Sequence, residues 1–117
     1  MPHVVIEEAL DLATACQGVK LASVRNGGEI LKVVDLYVNR SGHTALVYCV
    51  VVEDGRAQAF FVEVAQKNRQ ITVRLLAATD PEKTIGVKRV IALIAKQLHE
   101  ATVGSRFGPT NLQDFLL

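Results

Sequence analysis

The sequence predicts an α+β fold: a five-stranded antiparallel β-meander with N- and C-terminal helices packed on one face. Three observations carry this reading. Five apolar, β-branched stretches are separated by short turn signals. Connections that short force neighbours to run antiparallel, because a parallel crossover needs a dozen or more residues. A helical apolar periodicity precedes the five stretches, and a longer one follows them.

The first periodicity comprises Val5, Ile6, Ala9, Leu10, Ala13 and Cys16, with Glu7, Glu8 and Asp11 outside the stripe and Gly18 where a C-terminal cap would sit. It predicts a helix over residues 4–16. The extended stretches are 19–24, 29–38, 44–53, 56–65 and 69–76. Asn26-Gly27-Gly28 and Asp54-Gly55 are hairpin signals, since these residues tolerate positive φ at little cost. Asn39 to His43 forms a longer loop, and Lys67-Asn68 is read as a tight turn.

Asp80-Pro81-Glu82 has the form of a helix start: a capping carboxylate, proline at the first helical position, and an acid in the first turn. Val87, Val90, Ile91, Ile94, Leu98 and Ala101 continue it as an apolar stripe ending near Gly104. The tail, 104–117, reads as loop through Gly108-Pro109, with Thr110 and Gln113 spaced as a capping box. At 117 residues the whole chain, 1–117, is expected to form a single domain.

Hairpins fix register, and register decides which side chains share a face. An Asp54-Gly55 turn pairs Cys49 with Phe60 and Tyr48 with Phe61; a Lys67-Asn68 turn pairs Phe61 with Arg74 and Val62 with Val73. Placing Val34 opposite Cys49 keeps Asp35 out of the core. One face then holds Val34, Leu36, Val38, Ala45, Val47, Cys49, Phe60, Val62, Val64, Ile71, Val73 and Leu75, and is the expected core. The other is mixed. Asp35, Tyr48, Phe61 and Arg74 form one row across it, with Tyr37, Leu46, Glu63 and Thr72 in the row beside.

A freely solvated sheet face is normally polar, whereas this one is apolar in its middle strands. The expectation is that a second copy or a protein partner covers it, through Asp35, Tyr37, Tyr48, Phe61, Glu63, Thr72 and Arg74. Cover by the chain's own tail is one alternative. A small-molecule site or modest enzyme using Asp35, Tyr48, Glu63 and Arg74 is another, since carboxylates in apolar surroundings act as general acids or bases. Asp35 followed by a strand-borne Glu63 resembles nucleases of the PD-(D/E)xK type, yet Glu63-Val64-Ala65 lacks the lysine that motif needs two residues after the acid. A cross-strand salt bridge explains the acids more simply, so no catalytic residue is assigned.

Other function classes find less support. A net charge of +1 with dispersed cations gives no basic footprint for nucleic acid. Gly27-Gly28 is a turn without a phosphate-loop pattern. Neither a metal site nor a cofactor is expected from His3, His43 and His99 or from two cysteines without ligand spacing. No apolar run approaches the ~18 residues of a membrane helix, and the N-terminus lacks a signal-peptide pattern. The expected location is the reducing cytoplasm, with Cys16 and Cys49 as buried thiols. The predicted architecture resembles profilins or cystatins, but neither family's motif is present and no activity carries over.

Overall fold

Asp54 and Gly55 both take positive φ, 52° and 81°, and between them turn strand β4 (Thr44–Glu53) back into β5 (Arg56–Lys67). This is the turn geometry whose twist matches that of the flanking strands. The hairpin zips without interruption from Glu53↔Arg56 through Cys49↔Phe60 and Tyr48↔Phe61 to Thr44↔Ala65, as the sequence predicts. It is the centre of a computed structural model that describes residues 1–9 and 11–117.

Strand β6 (Gln70–Leu75) pairs with β5 two residues away from the expected register. Lys67 faces Gln70, so the loop is Asn68-Arg69, with Asn68 at φ 58° supplying the left-handed conformation. Val62 therefore pairs with Leu75, and Glu63, not Phe61, pairs with Arg74. A slip of two preserves the face of every side chain because the strand period is two. Val62, Val64, Ile71, Val73 and Leu75 remain buried.

Strand β3 (Glu29–Val38) holds the expected register only from Asp35 onward, where Asp35 faces Tyr48 and Val38 faces Ala45. Val33, not Val34, lies opposite Cys49, and Val34 is an extra residue between two consecutive pairs. This β-bulge changes the phase of the strand. Leu31 and Val33 point into the core, whereas Val34 is 44 % exposed and Val38 43 % exposed, against the expectation that both are core residues. Strand β2 (Ser23–Asn26) closes this side as an edge strand paired to β3 around the Gly27-Gly28 turn.

The predicted five-stranded α+β meander flanked by two helices is not what forms. Among the described residues, seven antiparallel strands, in the order β2-β3-β4-β5-β6-β1-β7 with β1 at His3–Glu7 and β7 at Arg106–Thr110, make a curled half-barrel with one substantial helix. The N-terminal residues expected to be helical are β1 (His3–Glu7), inserted between β6 and β7 (Arg106–Thr110). Val4-Val5-Ile6 is a β-branched run, which favours an extended chain, and alternate burial of Val4 and Ile6 completes the strand pattern. Helix α1 is confined to Leu12–Cys16, capped by Asp11; Leu10, in the predicted helical stripe, lies outside the described residues.

The C-terminal tail joins the sheet as β7 instead of staying a loop, and then forms a 3-10 turn at Gln113–Phe115. Gly108 and Pro109 are accommodated because β7 is an edge strand with an extra residue between its Phe107 and Thr110 pairings. The Thr110–Gln113 capping box does not form: Leu112 precedes the turn, and Thr110 uses its hydroxyl on His3 O and Leu112 N.

The long helix α2 is Ile85–Glu100 and starts later than Asp80. Residues before it are held against β5: Gln58 accepts from Glu82 N at 2.8 Å, and Arg56 forks onto the Glu82 carboxylate. Thr84 becomes the cap, accepting from Val87 N. Of the predicted stripe, Val87, Val90, Ile91, Ile94 and Leu98 are fully buried against β1, β3, β4 and β6, while Ala101 is only half-buried, as the C-cap. Leu112, Phe115 and Leu116 join the same core from the tail.

Candidate functional site

Because α2 and the tail share one core with the inner sheet face, the opposite face is where exposed chemistry can gather. Among the described residues no helix packs on it. The strands bring most of the sequence-predicted site residues together there, in a changed arrangement. Asp35, Tyr48 and Phe61 do form one row across β3, β4 and β5. Arg74 moves out of that row with the β6 slip and joins Tyr37, Leu46 and Glu63, with His3 of β1 at the row's end. Thr72 sits one row further, between Ala65 and Val5.

Glu63 and Arg74 are direct cross-strand partners, and the Arg74 guanidinium donates from Nε to Glu63 Oε1 at 2.8 Å. The Glu63 side chain is only 21 % exposed while Arg74 reaches outward. The Tyr48 and Phe61 rings pack 5.1 Å apart at a 34° tilt, within the range where aromatic pairs attract beyond their buried area. Where β6 ends, the chain turns back to satisfy the Phe61 backbone: its N–H donates to Thr79 Oγ1, and its carbonyl accepts from Leu76 N.

Asp35 follows the bulge, and its carboxylate accepts from the Leu36 N–H at 2.8 Å. The negative charge of Asp35 pushes the Tyr37 hydroxyl above its ordinary pKa; partial desolvation, a hydrogen bond with Asp35 and proximity to Tyr48 act in the same direction. Tyr37 is thus a neutral donor at physiological pH, at the margin of a shallow depression of about 360 Å³. Leu46, Thr44, Glu63 and Leu76 line the rest of it. Of the acids, Glu63 is engaged by the Arg74 guanidinium and Asp35 by the Leu36 N–H, an arrangement suited to holding a surface in shape.

Sequence reasoning did not bring Ile30, Lys32, His3, Val5 or Glu7 to this face. The first two arrive through the bulge, whose signal is legible: Leu31 and Val33 alternate in one phase, and Leu36 falls in the other. The other three arrive with β1, whose pairing with β6 spans most of the chain and leaves no local trace.

The described residues contain no cluster of three His, Cys, Asp or Glu side chains able to hold a metal. Cys16 and Cys49 are free and buried, and no described helix is long and apolar enough to cross a membrane. Among the described residues, the fold and site define a seven-stranded antiparallel half-barrel packed on one long helix, with a mixed outer face on which no helix sits. No family model, curated protein or solved structure matches the chain.

Proposed function

We propose that this protein is a cytoplasmic, non-catalytic assembly module that pairs with a second copy of itself through the outer face of β3–β6. The observation that carries this is the strip formed by Leu46, Tyr48, Val50, Val52 and Phe61, half-buried within its own sheet, with Ala57 and Ala59 exposed beside it. An apolar centre with aromatic anchors and a charged rim is the composition of a protein interface, and soluble monomers rarely leave such a strip open. Charge supports a like partner. Within β3–β6, Lys32, Lys67 and Arg74 stand against Asp35 and Glu63, so the net charge of the proposed contact is small; Arg25 lies beyond it on β2, and Arg106 is paired with Glu7. Isologous, two-fold pairing is the commonest way for one face to satisfy itself.

Sedimentation velocity over a broad concentration range tests the reading. The expected result is a dimer that Ala59→Arg converts to a folded monomer, because the new guanidinium would be trapped in the interface centre. A wild-type chain that stays monomeric at high concentration would falsify it.

A second reading draws on the depression bounded by Tyr37, Leu46 and Glu63. Its volume lies near the lower end for small-molecule sites, and a tyrosine donor beside an apolar floor suits a small apolar ligand with one acceptor. Fragment screening by NMR distinguishes it: shifts confined to Tyr37, Thr44 and Leu76 support a ligand, whereas shifts spread across β4 and β5 on dilution support self-association.

A further inference from the structure

The sheet has two edges, and they are not equivalent. The β7 edge carries Pro109 and an irregular ladder, two devices that block addition of another strand. The β2 edge has neither. Its four residues, Ser23 to Asn26, are all exposed, and its ladder to β3 is regular.

Hydrogen bonding tells which β2 groups are free. Val33 N donates to Ala22 O at 2.9 Å, and in an antiparallel ladder bonded pairs alternate with unbonded ones. With Val24 opposite Leu31 and Asn26 opposite Glu29, residues 22, 24 and 26 face β3. The N–H and C=O groups of Ser23 and Arg25 therefore point away from the sheet. Their side chains lie on the outer face, where Ser23 is paired with Lys32. Val24 lies on the other side, against Leu31, in a depression of about 190 Å³ shared with Leu93, Phe115, Arg89 and Lys96.

We infer that the β2 edge takes up an extended peptide segment of a partner as an eighth strand, and that this segment alternates apolar and acidic residues. The alternation follows from the two sides of the edge. Side chains of an added strand on the Val24 side meet Leu93 and Phe115; those on the other side meet Arg25 and Lys32. Residues 17–28 contain Lys20 and Arg25 and no acid. The neighbouring acid Glu29 is already bound to Arg89 at 2.9 Å. Main-chain bonds to Ser23 and Arg25 supply affinity and the side-chain pattern supplies selection, as in other strand-addition complexes. A second copy of this chain is a poor occupant, because joining two β2 edges sets Arg25, Lys32 and Lys96 against their own kind.

The test uses the full chain, a fluorescent Val-Glu-Val-Glu-Val-Glu peptide, and a Val-Lys counterpart of equal length. At low salt the acidic peptide is expected to bind saturably and the basic one not at all. Amide exchange should slow at Ser23 and Arg25 while Tyr48 and Phe61 signals stay unchanged, which separates this edge from the proposed dimer face. Arg25→Glu combined with Lys32→Glu, both at exposed positions, should weaken binding by about tenfold or more. Absence of saturable binding overturns the inference. So does binding without slowed exchange at the two amides, equal binding of an oligonucleotide to the same residues, or slowed exchange at Ser23 and Arg25 on concentrating the chain alone.

Discussion

Glu53 Oε2 lies 3.0 Å from the backbone nitrogen of Gly86 and accepts its N–H, while Oε1 accepts from the Thr84 hydroxyl. The last residue of β4 thus caps the N-terminus of α2, where backbone N–H groups lack partners within the helix. The approach is close enough to require glycine for its missing side chain: a Cβ at Gly86 would stand 2.7 Å from Val51 Cγ1 and 2.8 Å from Glu53 Cδ. Helix propensity alone says that Gly86→Ala stabilises by about 1 kcal/mol. The clash reverses that sign, and the variant is expected to lose about 1–3 kcal/mol in urea unfolding. Made in a Glu53→Ala background, the same substitution should cost less, because part of the obstruction has gone.

The bulge at Val34 gives an unusual deletion experiment. Val33↔Cys49 and Asp35↔Tyr48 flank a residue that has no partner of its own. Deleting one valine of the Val33-Val34 pair leaves Val33 and Asp35 consecutive and their partners consecutive, so the ladder becomes regular and no side chain changes face. The deletion is expected to fold, with the Asp35–Tyr48 and Val33–Cys49 cross-strand NOEs retained. Deleting Val50 from the opposing strand should unfold the chain, because every residue on one side of the cut would change face.

Local signals were sufficient for one hairpin and for the buried face of the long helix. Asp54-Gly55 determines a complete hairpin, and Val87 to Leu98 shows its buried stripe in its spacing. Two failures were themselves local, the two-residue slip at Asn68-Arg69 and the bulge at Val34; the others arise from partners distant along the chain. Val4 and Ile6 satisfy helical and strand periodicities equally well; Val73 and Phe107, on either side, decide for the strand. Asp80-Pro81-Glu82 is a sound helix start by itself, but Gln58 and Arg56 hold Glu82 in place and Thr84 takes over. The candidate face was legible in composition and in its two predicted rows as far as β5, whereas the partnering of Glu63 and Arg74 needed the actual turn at Asn68-Arg69.

Burial pushes the Cys16 thiol up to about 11 and the Cys49 thiol up to about 12, from an ordinary value of 9.0. Both stay protonated in the folded chain while the unfolded chain gives up its thiol protons above pH 9. Their contribution is therefore full below pH 9 and is lost as pH rises toward 11–12. Urea midpoints should fall between pH 8 and pH 10, and fall less for Cys16→Ala/Cys49→Ala. Labelling by a thiol reagent at pH 8 should be slow until denaturant is added.

At the acid end the relevant groups are Glu8 and Asp11. A hydrogen bond and the charge of Arg69 hold the Glu8 carboxyl below its ordinary value, and the Thr14 hydroxyl and N–H do the same for Asp11. These carboxylates contribute above their ordinary pKa values of 4.5 and 3.8, and the contribution is lost as pH falls through the lower folded values. Glu8→Gln/Asp11→Asn should flatten the acid limb of the stability profile and leave its alkaline limb unchanged.

The Glu63–Arg74 pair separates folding from assembly. In a single chain Arg74 is half-exposed, so removing it costs folding about 1 kcal/mol or less. If a second copy covers the face, Arg74→Ala leaves the Glu63 carboxylate desolvated and unpaired, a change worth several kcal/mol at a buried site. Urea unfolding at low concentration should therefore hardly register Arg74→Ala, while the dimer dissociation constant rises by about a hundredfold or more. Exchanging the two residues, Glu63→Arg with Arg74→Glu, keeps the ion pair and should restore much of the association. Equal, small effects on unfolding and on sedimentation would place the pair outside any interface, and the outer strip would then need a different occupant.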